Sequence, residues 1–499
     1  MRFEDIVEYV VAFPNQYLYQ KLEDGSYGFG PYGHRYYVDV TFLTDITTAE
    51  YSVPTVYINT ESGYPVTSKS TYVNATIRID GADVFPDMEE MPVQIKGRGN
   101  STWNYAKKPY RIKFDEKQKP FGLTAGKSWV LMSQPLPGSM MCNPIGMKIA
   151  ALVETKGYNH MVPFELYLNG EYRGSYVFTE KVGFHNNSID LEDETNAAML
   201  ELDDWYDGVY KFKDETFNVC SNIIEPDWND TSVKTNLTYT LVKNSFNTFC
   251  AGAKENSDEF YNTRLDVESF VRFMLVNDLM YNSELVNPKS AYIYNVDVIA
   301  DSAWVFGPVW DLDFVAGWYN HGCYFAESPS LDYISNMSYE GAGKKFFRAL
   351  LKGNDIVKKQ YYRLWTEFYK GDKFEQLLEY ITDYYKYAKA SFEHNYELWK
   401  DYDTYNATVA NGRNWLKRRA AYIYGSLKKF DIDDEVNLPE EEYYGQPNDI
   451  RTIKELLPSN LKVYNINGIL VKENVDYLNA TDGLPSGLYI IGNEKIYVK

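Results

Sequence analysis

The alternation of apolar and polar residues predicts a β-rich first part of the chain. Runs such as RYYVDVTFLTD and STYVNATIRIDG carry β-branched and aromatic residues between turn signals, which is typical of strands. ELYLNGEYRGSYVF predicts a hairpin that turns at Asn169 and Gly170. One helix, over about 139–156, is predicted to interrupt these strands.

The apolar spacing changes in the second part of the chain. Residues 265–281 show helical spacing after an Asp/Ser start, and residues 343–430 are helical over most of their length. Between them, SAYIYNVDV and SAWVFGPVWDLDF are predicted to be strands. Strands followed by helices predict an α+β fold with a β-rich lobe and a helical lobe.

Changes in composition divide the chain into four predicted segments. An acidic stretch with Pro and Gly at 431–449 is typical of a linker. Short strands after it predict a small β module at 450–499. The remaining segments are a β-rich N-terminal region, 1–90, and a main domain, 91–430.

Composition and charge exclude several classes of function. A net charge of −20 argues against binding nucleic acid, and an anionic ligand would need a basic patch or a metal. The four cysteines have no metal-ligand spacing, which predicts buried thiols or one disulfide, and no HExxH motif is present. No apolar run reaches the roughly 18 residues of a membrane span.

Two carboxylates, Asp311 and Asp313, stand in an otherwise apolar and aromatic stretch, GPVWDLDFVAGW. In a strand both would project from one face and repel each other, unless a cation lay between them. This pattern favours Mg²⁺ or Mn²⁺ bound together with the phosphates of a ligand. The alternative is two aspartates that accept hydrogen bonds from backbone amides at a strand end.

Cations and glycines cluster around 95–114, in a chain that is otherwise acidic. IKGRGNSTW could approach a phosphate through its glycines, or could simply form a turn. In KKPYRIKF, alternate residues predict a strand whose cationic face meets phosphate or solvent. The candidate phosphate-binding residues are Arg98, Asn100, Lys107, Lys108, Arg111 and Lys113.

Two further polar sites follow apolar segments. Glu180, at the end of a strand, could pair with one of the lysines or mark a hinge between lobes. Asn282 and Glu284 follow a helix, where such groups serve as a general base, as metal ligands or as helix and turn caps.

These blocks, in this order, resemble the spore-coat protein H (CotH) kinase family. The resemblance rests on IKGRGNSTW, KKPYRIKF, KSWVLM, GSYVFTEKV, LELDD, NSELVNPKSAYIY and GPVWDLDFVAGW, and covers about 90–430. It implies an atypical protein-kinase-like fold that binds ATP and a divalent metal and phosphorylates serine in secreted or coat proteins. Asp311 and Asp313 would then be metal ligands, and Lys108 and its neighbours would face phosphate.

The chain also departs from the family pattern. Many kinase members of the family show N-x-D followed by an Asn, as the catalytic aspartate and a second metal ligand, and the matching positions here look like Asn282, Glu284 and Ser290. Cys142 stands where the family has arginine before Asn143. One extra methylene displaces a positioned base and costs about a hundredfold in rate. The alternative is therefore an impaired pseudokinase that binds a surface protein or glycan. The 46 tyrosines suit such a surface.

The C-terminal stretches VYNINGILVK and GLYIIGNEKIYVK resemble a type IX secretion sorting domain. This resemblance implies a protein secreted from a Gram-negative cell or held at its surface. The opening MRFEDIVEYVV carries acids among its apolar residues and does not read as a signal peptide, which predicts either a cytosolic protein or a signal already removed.

Overall fold

A computed structural model describes most of the chain. The described residues are 20–21, 27–29, 36–38, 52–136, 139–185, 187–205, 209–230, 232–316, 340–399, 405–427, 461–465, 469–475, 479–491 and 494–498. The predicted linker at 431–449 lies outside them, as does Cys323. Cys142, Cys220 and Cys250 are buried free thiols.

A closed barrel of seven strands dominates the first part of the chain. Its order is β10-β8-β7-β6-β5-β4-β9, and every pair is antiparallel except β4 and β9. The strands are β4 (Thr55–Thr60), β5 (Val73–Asp80), β6 (Met88–Gly97), β7 (Tyr110–Gln118), β8 (Gly126–Met132), β9 (Val162–Leu168) and β10 (Glu171–Glu180). Three short strands, β1 (Gln20–Lys21), β2 (Tyr27–Phe29) and β3 (Tyr36–Val38), precede it as a separate sheet.

Alternation along each strand fills the barrel. On β7, Tyr110, Ile112 and Phe114 are buried inside, whereas Arg111 and Lys113 point outward, as predicted. The predicted hairpin is confirmed, because Asn169 and Gly170 join β9 to β10 with φ of 54° and 77°. The barrel crosses the predicted boundary at residue 90, since β4 and β5 pair with the strands that follow them.

Among the described residues, a second sheet and eight helices complete the main part of the chain. The sheet order is β12-β13-β11-β14-β15, formed by β11 (Ala198–Asp203), β12 (Lys211–Lys213), β13 (Cys220–Glu225), β14 (Ala291–Asn295) and β15 (Trp304–Phe306). The helices are α1 (Cys142–Leu152), α2 (Tyr239–Glu255), α3 (Asp258–Thr263), α4 (Val267–Leu279), α5 (Ala342–Gly353), α6 (Asp355–Lys370), α7 (Lys373–Trp399) and α8 (Tyr405–Leu427). The mixed α+β class predicted from the sequence is thus found.

The end of the chain forms a four-stranded antiparallel sheet. Its order is β17-β16-β18-β19, from β16 (Leu461–Asn465), β17 (Leu470–Val475), β18 (Gly487–Ile491) and β19 (Glu494–Val498). Among the helices described, none combines the length and apolar character that crossing a bilayer requires.

The predicted strand over GPVWDLDF is wrong. β15 ends at Phe306, and Gly307 donates one more hydrogen bond, to the Tyr292 carbonyl at 2.9 Å. Pro308 has no N–H with which to continue the ladder. Asp311 then adopts a left-handed conformation with φ of 58°, so the two aspartates lie on a turn.

Candidate functional site

The turn after β15 brings Asp311 and Asp313 together. The two carboxyl groups lie close enough for the charge of Asp311 to act on Asp313. Asp311 Oδ2 also accepts from Ser290 Oγ at 3.2 Å. Burial, and then the negative charge of Asp311, raise the pKa of Asp313 to about 7, although Asn143 and Arg98 act in the opposite direction. A positive charge between these carboxyl groups would relieve their repulsion.

Helix α1 fixes this turn. Asn143 is fully buried, donates from Nδ2 to Asp313 Oδ1 at 2.7 Å and accepts from the Leu312 amide at 2.9 Å. Gly146 lies directly against Leu312, since a Cβ at this position would overlap Leu312 Cδ1. Cys142 is buried, and its thiol pKa is raised by burial and then by Asp313. The anchor on α1 is therefore Asn143.

A short 3-10 turn, Ser283–Val286, presents Glu284 to the two aspartates. Asn282 Oδ1 accepts from the Glu284 amide at 3.2 Å, and Asn282 Nδ2 donates to Asn277 Oδ1 at 2.8 Å. Asn282 thus performs the capping role that was the alternative reading. Burial, and then the charge of Asp311, raise the pKa of Glu284 to about 8, with Lys289 opposing and Asp313 adding to the rise.

Two helices, α6 and α8, hold the segment that leads into the turn bearing Glu284. Arg419 of α8 is fully buried and donates from Nε and Nη2 to the Asp278 carbonyl, at 3.1 and 2.9 Å. Tyr361 of α6 donates to Asp278 Oδ2 at 2.6 Å. These contacts fix the end of α4, from which the turn bearing Glu284 follows.

The second sheet contributes a carboxylate to which the sequence assigned no role. Glu201 on β11 accepts from Tyr292 Oη at 3.4 Å. Burial, followed by Asp203, raises the pKa of Glu201 to about 6, and Asp311 adds to the rise. The sequence LELDD could have indicated this carboxylate, because Glu201 and Asp203 are two residues apart and therefore share one face of a strand.

The barrel contributes Arg98 from the loop after β6. Its guanidinium lies 5.7 Å from the centre of the Trp310 ring, and its charge lowers the pKa of Asp313. The neighbouring glycines serve local packing. A Cβ at Gly97 would overlap the Trp103 ring, and Gly99 has a φ of 84°.

Asn100 is exposed at the start of the 3-10 turn Ser101–Asn104. In this loop, Arg98 is therefore the residue whose charge acts on the acidic pair. The glycines form a turn and pack locally, which was the alternative to phosphate binding.

Two of the predicted phosphate-facing lysines donate hydrogen bonds to backbone carbonyls of this chain. Lys107 is buried, and donates from Nζ to the Ser175 carbonyl at 2.5 Å. Burial lowers its pKa well below the usual value. Lys108 Nζ donates to the Trp103 carbonyl at 2.6 Å. The phosphate-facing prediction is therefore corrected for Lys107, which is buried. Lys108 is half-buried, and its phosphate-facing role stays a prediction.

Glu180 does not pair with a lysine, which was one of the two roles considered for it. Its carboxylate is buried and accepts from the His160 backbone amide at 2.9 Å, and it lies 2.6 Å from His160 Nδ1. Arg111 donates from Nη2 to Ser128 Oγ at 3.3 Å on the outside of the barrel, and Lys113 is exposed beside it. Of the cationic strand, only this outer face remains available to a ligand.

The chemistry of the acidic pair fits a magnesium or manganese ion. No group of three His, Cys, Asp or Glu residues in the described part of the chain has the geometry to hold a metal alone. Mg²⁺, however, usually takes only one or two carboxylates from the protein and completes its shell with phosphate oxygens and water. Asp311 and Asp313 supply that number of carboxylates.

A search of curated proteins found no match to this chain. A family model described as CotH kinase protein matches residues 95–423, which is about two thirds of the chain. The match includes the barrel strands from β7 onward, the second sheet, the helices and every candidate site residue named above. The chain therefore belongs to the CotH kinase protein family.

Proposed function

We propose that this protein binds ATP with a divalent cation and transfers the γ-phosphoryl group to a hydroxyl of a protein. The observation that carries the proposal is the Asp311–Asp313 carboxyl pair. Asp313 is buried and Asp311 half-buried, their charges repel, and Asn143 and Ser290 hold the two carboxyl groups. The kinase description of the family supports this reading. A cation bound there would neutralise charge on the phosphates.

The remaining residues have distinct roles in this proposal. Arg98 is the cation of the barrel that acts on the acidic pair, and would attract the phosphates from the opposite side. Glu284, fixed by the Asn282 cap, would accept the proton of the acceptor hydroxyl. The hydroxyl oxygen would bond to the γ-phosphorus as the bond to the bridging oxygen breaks, and ADP would leave.

Nucleotide binding is tested by thermal shift with Mg²⁺ and ATP. We expect stabilisation of the wild type and none of Asp311→Ala, because loss of one carboxylate removes half of the cation's protein ligands. Glu259→Ala, which removes an exposed carboxylate from α3, is the matched control and should respond like the wild type. The proposal is refuted if millimolar ATP with Mg²⁺ leaves the wild type unshifted.

A second function is favoured by Glu284 itself. In the metal-free protein, burial and the charge of Asp311 raise its pKa to about 8, which favours the protonated form at neutral pH, and that form cannot accept a proton. The same site would then bind nucleotide without transfer, as in a pseudokinase that binds a surface protein or glycan. Labelled phosphate transfer by the wild type and by Glu284→Asp separates the two: transfer by either protein supports an enzyme, and transfer by neither supports binding alone.

We also propose export, with the β16–β19 sheet as the sorting signal. Asp482, on the segment between β17 and β18, forms a 4.0 Å ion pair with Lys386 of α7. Cell fractionation of proteins with and without residues 461–499 tests this. Equal distributions would contradict the proposal.

A further inference from the structure

The outer wall of the barrel carries a cluster of four cations, Lys96, Arg111, Lys113 and Lys181, which we call the basic patch. Lys96 on β6 is directly opposite Arg111 on β7. Lys113 lies two residues further along β7, where it pairs with Ser128 on β8. Lys181 follows the end of β10, whose last residue pairs with Trp129 on β8. The patch is therefore continuous across neighbouring strands.

The cations of the patch repel one another. Burial lowers the pKa of Lys96, and Arg111 and Lys113 lower it further. Burial also lowers the pKa of Lys181, again with Arg111 adding to the effect. A lysine on a freely solvated strand face would show neither influence. Four clustered cations are unexpected in a chain with a net charge of −20.

The surrounding groups do not neutralise the patch. Within the part of the chain that the structure describes, none of the four cations forms an ion pair within 4.0 Å. The acids that act on it belong to the end of β13 and the loop after it. Glu225 and Asp227 influence Lys181, and Lys113 acts on Asp230. Burial raises the pKa of Glu225, and Lys181 acts in the opposite direction.

Polar atoms at the patch are also left without partners. Tyr72 Oη and Arg111 Nε are buried, and neither has a hydrogen-bond partner among the described residues. Tyr72 belongs to the patch, because Lys96 Nζ lies 4.7 Å from the centre of its ring. Buried donors without a partner are costly, and a ligand oxygen would satisfy both.

We propose that the basic patch binds a polyphosphate chain, either the tail of a nucleotide or a free polyphosphate. Phosphate oxygens would accept from Arg111, Lys96 and Tyr72 and place their negative charge among the four cations. Lys96 stands two residues before Arg98, whose charge acts on Asp313. If the ligand is ATP, this proposal rests on the proposed function. The anion site itself requires neither the metal nor phosphotransfer.

Titration calorimetry of the full chain with inorganic tripolyphosphate in EDTA tests the anion site without any metal. We expect saturable binding that weakens about tenfold or more in Lys96→Gln and in Lys113→Gln, since a charge-assisted contact is lost in each. Lys113 is exposed, so its replacement is compatible with folding. Lys234→Gln and Lys359→Gln remove exposed lysines elsewhere and serve as controls.

Each outcome decides the proposal. Loss of affinity confined to the patch variants supports it. No binding of tripolyphosphate, or equal weakening by the control variants, overturns it.

A second titration, with ATP and Mg²⁺, separates the two sources of phosphate. Nucleotide binding that Asp311→Ala abolishes and Lys96→Gln leaves unchanged supports the proposed function and rules out the nucleotide tail as the ligand of the patch. Tripolyphosphate binding without ATP binding supports the patch as a polyphosphate site and refutes the nucleotide function.

Discussion

Replacing Asn143 with alanine removes the link between α1 and the acidic turn. The side chain is fully buried and makes one hydrogen bond to a carboxyl oxygen and one to a backbone amide. A buried group left without its partner costs about 1–3 kcal/mol, and more when it is charged. We therefore expect Asn143→Ala to lower the free energy of unfolding by about 3–5 kcal/mol at pH 8.

The pH dependence makes this prediction specific. The Asn143 donor favours the ionised form of Asp313, whose pKa is raised to about 7. At pH 5 this carboxyl group is protonated in the folded protein and needs the donor less. The cost of Asn143→Ala should therefore be smaller at pH 5 than at pH 8, by about 1–2 kcal/mol.

Urea denaturation at the two pH values measures both quantities. The matched control is Asn295→Ala, because Asn295 is also fully buried and bonds to the Ser302 carbonyl at 2.6 Å and the Asp297 amide at 3.0 Å. Both partners are neutral, so its cost should not change between pH 5 and pH 8. An Asn143→Ala cost that is equally independent of pH would refute the assignment of Asn143 as the support of the Asp313 charge.

Two further predictions concern the same region. Glu284 has a folded-state pKa raised to about 8 from 4.5, so it stabilises the fold below about pH 4.5, and this contribution is lost as pH rises through 8. Glu284→Gln should remove that decline, worth roughly 2–4 kcal/mol, and melting temperatures of the metal-free protein from pH 4 to 9 measure it; parallel curves for the two proteins would contradict the argument. Gly146→Ala should destabilise by about 1–3 kcal/mol through its overlap with the buried Leu312, and its cost should shrink in the Leu312→Ala background. Gly425→Ala is the control, since it lies in a helix with nothing within 4 Å of its Cβ, and it should be neutral or stabilising.

Local sequence predicted the features that depend on neighbouring residues alone. The Asn169–Gly170 hairpin was found because both residues accept a positive φ. The outward face of Arg111 and Lys113 followed from period-two alternation. Helix α4 was predicted over 265–281 and spans Val267–Leu279, with Asp266 capping it through the Ser269 amide at 2.9 Å.

Predictions failed where a distant contact decided the outcome. Lys107 looks like its cationic neighbours in sequence, yet its Nζ atom bonds to a carbonyl 68 residues away. Glu180 found its partner in His160, on the segment before β9. The strand through WDLDF is an exception, because a local feature ended it: Pro308 has no hydrogen to donate. Lys96, Lys181 and Tyr72 lie far apart in the chain and meet only on the closed barrel.

The sequence by itself determined that this protein has strands first and helices later, and that two carboxylates stand in an apolar stretch near Glu284 and a cationic strand. The tertiary structure decided what those carboxylates experience. Asp313 is held by Asn143, which lies 170 residues away in the chain. The proton affinity of a carboxyl group depends on its burial and on the charges within a few ångströms. A local pattern of residues specifies neither, because the neighbours of the group come from distant parts of the chain.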